Sequence, residues 1–259
     1  MLAQDRVTPE PEMVDYWDFR APKYAAQYLG SSNEARAFQI RLKRVIDLFD
    51  KPKGKVLDIG CGPGVTVDFL SQEGCDVHGV DISEQMVDEC KVRFADRPNA
   101  HFSTGRIENL DFADASFDAV LSMGVVEYIV DDKKAVAEMA RVTKPGGTVI
   151  ITVPNRRSPY RIWDRLVFRI AAAPVKKLIG RDPRGVAHKE YVASKYCKVL
   201  EDAGLEVTDV EYYAFKIILS PFDGIFRWLT AVTGARLEFL YRGPLGWLGT
   251  GFIVKAVKG

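Results

Sequence analysis

The sequence has few of the residues from which disulfide-linked or metal-stabilised folds are built. Its 259 residues include four cysteines and three histidines. The cysteines stand apart, with no C-x-x-C pair and no histidine at ligand spacing, so we expect neither a disulfide framework nor a structural zinc site. No apolar run approaches the ~18 residues of a membrane-spanning helix, and no basic segment precedes an apolar one as in a signal peptide. These absences predict a cytoplasmic protein in a reducing compartment.

The chain also has almost no net charge. It carries 36 lysines and arginines against 35 acidic residues, a formal charge of +1. This balance does not favour nucleic acid as a partner. The average hides one basic segment, because residues 156–184 hold nine Lys or Arg against two Asp, a local charge of +7.

Strand and helix signals alternate through the middle of the chain. Strand-like runs are separated by helical segments near 64–72, 84–94 and 132–142, a pattern typical of parallel strands joined by crossovers. We predict a doubly wound α/β fold with a mostly parallel, seven-stranded sheet and two apolar insertions. The predicted strands are Lys55–Ile59, Asp76–Asp81, Ala100–Thr104, Phe117–Ser122, Thr148–Val153, Glu206–Tyr213 and Gly251–Val257.

This pattern divides the chain into four regions. They are an N-terminal arm (1–34), the α/β core (35–155), a basic amphipathic insertion (156–190) and a C-terminal part (191–259) with a second apolar insertion (215–247). Pro9, Pro11 and Pro22 predict that the arm is irregular, with one or two short helices.

A glycine-rich turn follows the first predicted strand. From Val56 to Gly64 the sequence reads VLDIGCGPG, and glycines at such a junction let the backbone approach a ligand. Val65 stands where the pyrophosphate-binding pattern has its third glycine, so that pattern fails. Asp58 would repel a diphosphate but suits the ammonium of a methionine moiety, unless it only caps the turn. The candidate ligand-binding residues of the turn itself are Gly60, Cys61 and Gly62.

A carboxylate ends the second predicted strand. Asp81 lies about 20 residues after the turn, where acidic residues of nucleotide-binding folds accept the ribose hydroxyls. The alternative role is a helix N-cap, which Ser83 can fill instead. Ile82 and Met86 offer apolar surface for an adenine face, although Met86 and Cys61 could equally be packing residues.

The ends of the third and fourth predicted strands should line the same crevice. Ligands of open α/β sheets bind outside the carboxyl ends of the strands, and both strands end there. The residues that this adds to the candidate site are Arg106, Ile107, Ser122 and Met123.

Four motifs in register resemble the class I S-adenosylmethionine (SAM)-dependent methyltransferase family over about residues 35–155. They are the VLDIGCGPG turn, the GVDIS acid, the FDAVLSMGVVEYI strand and the KPGG turn. The resemblance implies SAM as cofactor. Many relatives carry an aspartate at the position of Arg106 for the adenine amino group, so we expect backbone atoms around Ile107 to replace that contact. It also implies that Arg41 pairs with the SAM carboxylate, the alternative being an exposed helix arginine.

The basic segment 156–184 has the spacing of an amphipathic helix. Its apolar stripe is Trp163, Leu166, Val167, Ile170 and Ala171, opposite Arg161, Arg165 and Arg169. Such a helix is typical of contact with an anionic membrane surface. The alternative is a lid whose apolar face covers the substrate and whose arginines are solvated. The aromatic second insertion indicates a hydrophobic acceptor or a self-packing cap.

The order of parts is similar to that of the polyprenyl-hydroxyphenol O-methyltransferases of ubiquinone biosynthesis. In those enzymes a basic apolar insertion precedes a His-containing segment, here with His188. If an oxygen is methylated, His188 is our candidate base, because the ordinary histidine pKa near 6.5 suits proton removal at neutral pH. A surface histidine is the alternative. Glu127 follows the fourth strand, where relatives often carry Glu-His, and could face the acceptor or a divalent ion.

The sequence therefore predicts a SAM-dependent methyltransferase that acts on a hydrophobic small molecule, at oxygen, and it offers no set of metal ligands. One rival is an N- or C-methyltransferase acting on a lipid, porphyrin or secondary metabolite. Another is a peripheral membrane protein that binds SAM only as a ligand. No Asn-Pro-Pro-Tyr-type motif follows the fourth strand, which argues against methylation of nucleic acid.

Overall fold

A single seven-stranded sheet organises the protein. The computed structural model describes residues 10–29, 33–49, 53–168, 187–219 and 222–259. The strand order is β3-β2-β1-β4-β5-β7-β6, and β7 runs antiparallel to both of its neighbours. The strands are β1 (Lys55–Ile59), β2 (Asp76–Asp81), β3 (Ala100–Thr104), β4 (Phe117–Met123), β5 (Thr143–Pro154), β6 (Leu205–Tyr213) and β7 (Gly251–Lys258). The predicted doubly wound α/β sheet is confirmed.

Helices cover both faces of this sheet. They are α1 (Glu10–Leu29), α2 (Asn33–Phe49), α3 (Val65–Gln72), α4 (Glu84–Arg93), α5 (Asp132–Val142), α6 (Pro159–Trp163), α7 (Ala193–Asp202), α8 (Phe222–Ile225) and α9 (Arg227–Leu237). A π-helical turn, Asp164–Phe168, continues α6. Short 3₁₀ helices lie at Val126–Tyr128, Glu238–Leu240 and Gly246–Leu248. No helix in the described ranges is long and apolar enough to cross a membrane.

The central strands are buried on both faces, which is why they read as runs of Val, Ile and Leu. Leu57 and Val120 pack on the face that α5 and α7 cover. Val56 and Leu121 pack on the opposite face, beneath α2 and α3. The sheet thereby carries two cores, and the parallel strands β1, β2 and β4 end at one common edge.

The N-terminal arm differs from its prediction. Residues 10–29 form one helix of 20 residues rather than an irregular segment with short helices. Pro11 lies in the first turn, where a missing backbone N–H costs nothing. Pro22 lies inside the helix, and the buried side chains of Met13 and Ala21 supply packing that outweighs its low helix propensity. Pro9 lies outside the described residues.

The first insertion also faces differently from its prediction. Arg161 and Arg165, expected to be solvated or to meet a membrane, turn inward and form ion pairs with Glu190 at 3.4 and 2.5 Å. A carboxylate this buried needs cationic partners. Leu166 and Val167, which the lid alternative would cover, are 57% and 41% exposed. Arg169, Ile170 and Ala171 lie outside the described residues.

Candidate active site

A cavity lies at the carboxyl ends of β1, β2 and β4, beneath α1 and α2. Ten of the residues predicted from the sequence line it. They are Asp58, Gly60, Cys61, Gly62, Asp81, Ile82, Met86, Arg106, Ile107 and Met123. Arg41, Ser122, Glu127 and His188 are not part of the lining.

The turn after β1 needs glycine for its conformation and for its packing. Gly60, Gly62 and Gly64 all have positive φ angles, of 71°, 48° and 73°. A Cβ on Gly60 would lie 2.1 Å from Cγ2 of Val125, so no side chain fits there. The Gly60 N–H donates to the Val80 carbonyl at 2.7 Å, which fastens the turn to β2. The turn thus brings main-chain atoms to the floor of the cavity.

The Asp58 carboxylate is buried, and one of its two oxygens has no hydrogen-bond partner. It is 2% exposed, and its Oδ2 has no hydrogen-bond partner. Burial, with a smaller contribution from the neighbouring Asp81 carboxylate, raises the pKa of Asp58 to about 8. A role in capping the turn alone would leave this Oδ2 without a partner. A cationic group in the cavity would supply the missing partner.

Asp81 is held by backbone N–H groups from two sides. Its Oδ2 accepts from Gly62 at 2.8 Å, and its Oδ1 accepts from Ser83 at 3.0 Å. Burial raises the pKa of Asp81, and these backbone donors oppose the shift. Ser83 is the N-cap of α4, since its Oγ accepts from the Met86 N–H at 3.1 Å. Each Asp81 oxygen keeps a lone pair for a further donor, such as a ribose hydroxyl.

The apolar wall of the cavity includes residues that the sequence reasoning missed. Ile82, Met86 and Ile107 were predicted, and the last two are almost fully buried. Met13 and Trp17 on α1 add to this wall from above. The many aromatic residues of the N-terminal arm could have indicated that it contributes to the wall. Because the arm was predicted to be irregular, it was not placed over the cavity.

Arg41 and Glu127 stand directly behind one glycine of the lining. Gly124 has φ +76°, and a Cβ there would lie 3.1 Å from Arg41 Nη1 and 3.6 Å from Glu127 Oε1. Burial raises the pKa of Glu127 to about 7, against the opposing charges of Arg41 and Arg161. The Glu127 Oε2 has no hydrogen-bond partner. Because Gly124 has no side chain, these two charged groups lie close behind the cavity lining.

His188 lies beyond this pair and is engaged by an arginine. Its Nε2 is 3.3 Å from Arg161 Nη1, and the Arg161 Nε donates to the Thr250 carbonyl at 2.6 Å. A guanidinium has only donors, so Nε2 accepts and the other ring nitrogen carries the hydrogen. The His188 ring centroid is 6.0 Å from that of Tyr128, which lines the cavity. In this tautomer Nδ1 of His188 is a hydrogen-bond donor.

Ser122 departs from its predicted position. Successive side chains of a strand point to opposite faces, so Ser122 and Met123 cannot both face the ligand. Met123 lines the cavity, whereas Ser122 is fully buried in the sheet and its hydroxyl has no hydrogen-bond partner. Within the described ranges, no group of three or more His, Cys, Asp or Glu residues is arranged to hold a metal ion.

Comparisons with known proteins identify a family for the segment that contains most of this cavity. Residues 57–151 match the family described as "Methyltransferase domain". That segment contains the glycine turn, Asp81 and the strand β4. The chain carries a class I SAM-dependent methyltransferase domain.

Two curated relatives and one solved structure illustrate the similarity of this methyltransferase domain. Over 143 residues the chain is 38% identical to demethylmenaquinone methyltransferase of Paenarthrobacter aurescens, covering 54% of each protein. It is 30% identical over 134 residues to ubiquinone biosynthesis O-methyltransferase of Paracidovorax citrulli, covering 51% of this chain and 53% of that protein. The chain thus spans about half the length of these relatives.

The solved structure is magnesium protoporphyrin IX methyltransferase of Synechocystis PCC 6803 with bound S-adenosylhomocysteine. It is 18% identical, with a TM-score of 0.63, and the similarity covers 97% of this chain and 100% of that one. At this identity the likeness concerns the fold of the methyltransferase domain.

Proposed function

We propose that the protein is a SAM-dependent methyltransferase that methylates a hydrophobic small molecule at oxygen. The observation that carries the proposal is the uncompensated Asp58 carboxylate beside Asp81, in a cavity with an apolar wall. Few ligands combine an ammonium, two neighbouring hydroxyls and a flat apolar ring, and SAM is one of them. The match to the methyltransferase domain family supports the same ligand.

The residues around the cavity divide the binding of SAM between them. Asp58 accepts from the ammonium, and Asp81 accepts from the ribose hydroxyls with its remaining lone pairs. Ile82 and Met86 pack against the adenine face. Arg41, behind Gly124, pairs with the carboxylate of the amino acid moiety. Bound SAM supplies an activated methyl group on a sulfonium, the electrophile of the reaction.

The remaining groups at the edge of the cavity contact the adenine and the acceptor. Backbone atoms around Ile107 take the adenine amino group, because Arg106 offers only donors where an acceptor is needed. Trp17 and Tyr128 form an edge-to-face pair with centroids 6.1 Å apart, which gives the acceptor an apolar, aromatic entrance. The names of the two curated relatives support an acceptor of the quinone type, and one of them names oxygen as the atom methylated.

We assign the role of base to Glu127, whose Oε1 would lie 3.6 Å from a Cβ on Gly124, a residue of the cavity lining. A group with a pKa of about 7 is half ionised at neutral pH and can take the acceptor's hydroxyl proton as the oxygen bonds to the methyl carbon. His188, whose Nε2 accepts from Arg161, instead donates a hydrogen bond that orients the acceptor. Most of the rate then comes from holding acceptor and methyl in line within a dry pocket.

Two other functions remain as alternatives, and each predicts a different experimental result. An N- or C-methyltransferase acting on a lipid, porphyrin or secondary metabolite would use the same cavity with a different acceptor atom. A peripheral membrane protein that only binds SAM would show affinity for it without turnover. Of these, the enzyme acting on oxygen is favoured by the name of the ubiquinone biosynthesis O-methyltransferase relative.

A labelling experiment tests the proposal. The protein is incubated with methyl-deuterated SAM and, separately, short-chain prenylated catechols, the corresponding aryl amines and demethylated quinones. Mass spectrometry with fragmentation then locates the label. We expect transfer to a catechol oxygen, and binding of S-adenosylhomocysteine in calorimetry that the Asp81→Ala variant weakens at least about tenfold. Label on carbon or nitrogen would contradict the oxygen assignment, and binding without any transfer would contradict the enzyme.

A further inference from the structure

We propose that Arg161 is a positioning residue of the acceptor site, because it fixes the ring of His188 in the form that donates a hydrogen bond to the acceptor. The inference rests on the proposed function, in which His188 orients the acceptor. Arg161 lies on α6, near the start of the first insertion, and its side chain is 23% exposed. A basic residue that the sequence pattern placed on the solvent side of a helix thereby takes part in the chemistry of the site.

The guanidinium of Arg161 is held by three groups. Its Nε donates to the carbonyl of Thr250, just before β7, at 2.6 Å. Its Nη1 lies 3.4 Å from Oε1 of Glu190 and 3.3 Å from Nε2 of His188. A guanidinium is a rigid, planar fork, so the contacts with Thr250 and Glu190 fix the direction of the donor that meets His188. The donor is therefore in place before an acceptor binds.

The backbone beside His188 is fastened to the site from two sides. The Lys189 N–H donates to the Glu127 carbonyl at 2.7 Å, in the 3₁₀ helix that follows β4. The Tyr191 N–H donates to the Pro154 carbonyl at 2.9 Å, at the end of β5. With the backbone held in this way, the hydrogen-bonding state of the His188 ring depends on the groups around its nitrogens.

The charge of Arg161 also keeps the His188 ring neutral. Protonation of Nε2 would place two cations 3.3 Å apart and point one N–H at another. Glu190 offsets this repulsion only in part, because its other carboxylate oxygen binds Arg165 at 2.5 Å, so one carboxylate serves two arginines. The contact consequently selects the neutral ring with its hydrogen on Nδ1, since the bond at one ring nitrogen decides which nitrogen is protonated.

Glu127 responds to the same guanidinium. Burial raises the pKa of Glu127, and the charges of Arg41 on α2 and Arg161 on α6 oppose the shift. Tyr191 and Tyr196 also interact with Glu127, and both stay neutral because burial raises their own pKa values. Removal of Arg161 should therefore raise the pKa of Glu127 further, in addition to releasing the His188 ring.

Arg165 offers a matched control for a substitution of Arg161. Its side chain is 19% exposed and binds the same Glu190 carboxylate, so Arg161→Met and Arg165→Met each remove one ion pair from Glu190. The full chain, labelled with ¹⁵N-histidine, is compared by NMR in the two variants. The chain has three histidines, and His188→Gln identifies the signal of His188. We expect the hydrogen on Nδ1 in the wild type and in Arg165→Met, and a shift of the hydrogen toward Nε2 in Arg161→Met.

Kinetics with a prenylated catechol and methyl-deuterated SAM give the second readout. Arg161→Met should raise KM for the catechol about tenfold, because the acceptor loses an oriented hydrogen bond. The inflection of kcat against pH should move to higher pH in the same variant, whereas His188→Ala should leave the inflection in place. Arg165→Met should resemble the wild type in both respects. Affinity for S-adenosylhomocysteine, measured by calorimetry, should stay unchanged in both arginine variants and reports that they are folded.

Three results would overturn the positioning role. A hydrogen on Nε2 in the wild type would contradict it without any variant. An unchanged His188 signal in Arg161→Met would contradict the control of the ring by Arg161. Equal changes in Arg161→Met and Arg165→Met would mean that both arginines only hold Glu190. The NMR readout needs no turnover, so absence of methyl transfer by the wild type would contradict the proposed function separately from this contact.

Discussion

The protonation of Asp58 should make ligand binding depend on pH. With a pKa of about 8 in the free protein, it is mostly protonated at neutral pH. A ligand ammonium beside it would favour the carboxylate and lower that pKa, so binding should release a proton. We predict that affinity for S-adenosylhomocysteine rises with pH from about 6 to about 8, at most about tenfold per pH unit.

Calorimetry in buffers of different ionisation enthalpy measures that proton directly. The Asp58→Asn variant should release none and should bind at least about 30-fold more weakly, because it loses a charge-assisted hydrogen bond. Asp202→Asn, at the exposed end of α7, is a control of the same chemistry away from the cavity. Proton uptake on binding, or unchanged release in Asp58→Asn, would contradict this role.

A substitution of Glu127 should change the rate of methyl transfer rather than the affinity for SAM. Because the base must be ionised, kcat should rise with pH through about 7 and then level off. Glu127→Gln should lower kcat about 100-fold or more and remove that inflection. His188→Ala should raise KM for the acceptor and keep the inflection. An inflection that disappears with His188 and persists without Glu127 would reverse the two roles.

Residues inside linear motifs could be predicted, whereas pairs assembled across elements could not. Asp58 and Asp81 end adjacent parallel strands, so their positions follow from strand order alone. The approach of Arg41 to Glu127 behind Gly124 depends on how α2 crosses the sheet, which no local pattern encodes. The contact between Arg161 and His188 likewise depends on the turn of α6, and periodicity placed that arginine on the wrong side.

Among the elements, α2 is tied to the second insertion by one arginine. Arg44 Nη2 donates to the Glu238 carbonyl at 2.7 Å and pairs with its carboxylate at 3.1 Å, and its guanidinium stacks 3.9 Å from the Tyr241 ring centroid. Glu211, also nearby, is almost fully buried. We predict that Arg44→Ala costs about 2–4 kcal/mol of unfolding free energy, because the Glu238 carboxylate loses its cation and Glu211 keeps only Arg242 among the cations of the described ranges.

The neighbouring lysine provides the control. Lys43 forms an exposed i,i+4 pair with Asp47 at 2.7 Å, so Lys43→Ala should cost under about 0.5 kcal/mol. Urea unfolding with equal m-values compares the two variants. Similar losses in both would mean that the Arg44 contacts add nothing beyond helix propensity.

How accurately each helix or strand was predicted depended on whether its sequence pattern came from burial or from local residue preferences. The predicted parallel strands fall within one residue of the observed bounds except at the start of β5, which extends back to Thr143. Their near-continuous apolar runs reflect burial on both faces. The full length of α1 was missed because three prolines indicated an irregular arm, whereas the tertiary packing of Met13 and Ala21 stabilises one long helix.

The whole molecule should be less stable at higher pH when no ligand is bound. Burial raises the pKa of Asp58 to about 8 and that of Glu127 to about 7, from unfolded values near 3.8 and 4.5. Between those values the folded state binds more protons than the unfolded state, so stability falls as pH rises. Burial also raises the pKa values of Asp81, Glu211 and Glu238, in the same direction.

One histidine opposes this trend without reversing it. Burial lowers the pKa of His78 below its ordinary value of 6.5, so the stability that this group contributes grows as pH rises toward that value. It is one half-buried group against five carboxyls, so the midpoint of thermal unfolding should still fall by at least about 3 °C between about pH 5.5 and about pH 8.5. Asp58→Asn with Glu127→Gln should flatten the profile and stabilise the free protein at the alkaline end. S-adenosylhomocysteine should flatten it in the wild type, because its ammonium compensates Asp58. A midpoint that rises with pH in the free wild-type protein would mean that these carboxyls are neutralised by partners within the fold, and the argument for a cation-binding cavity would lose its energetic basis.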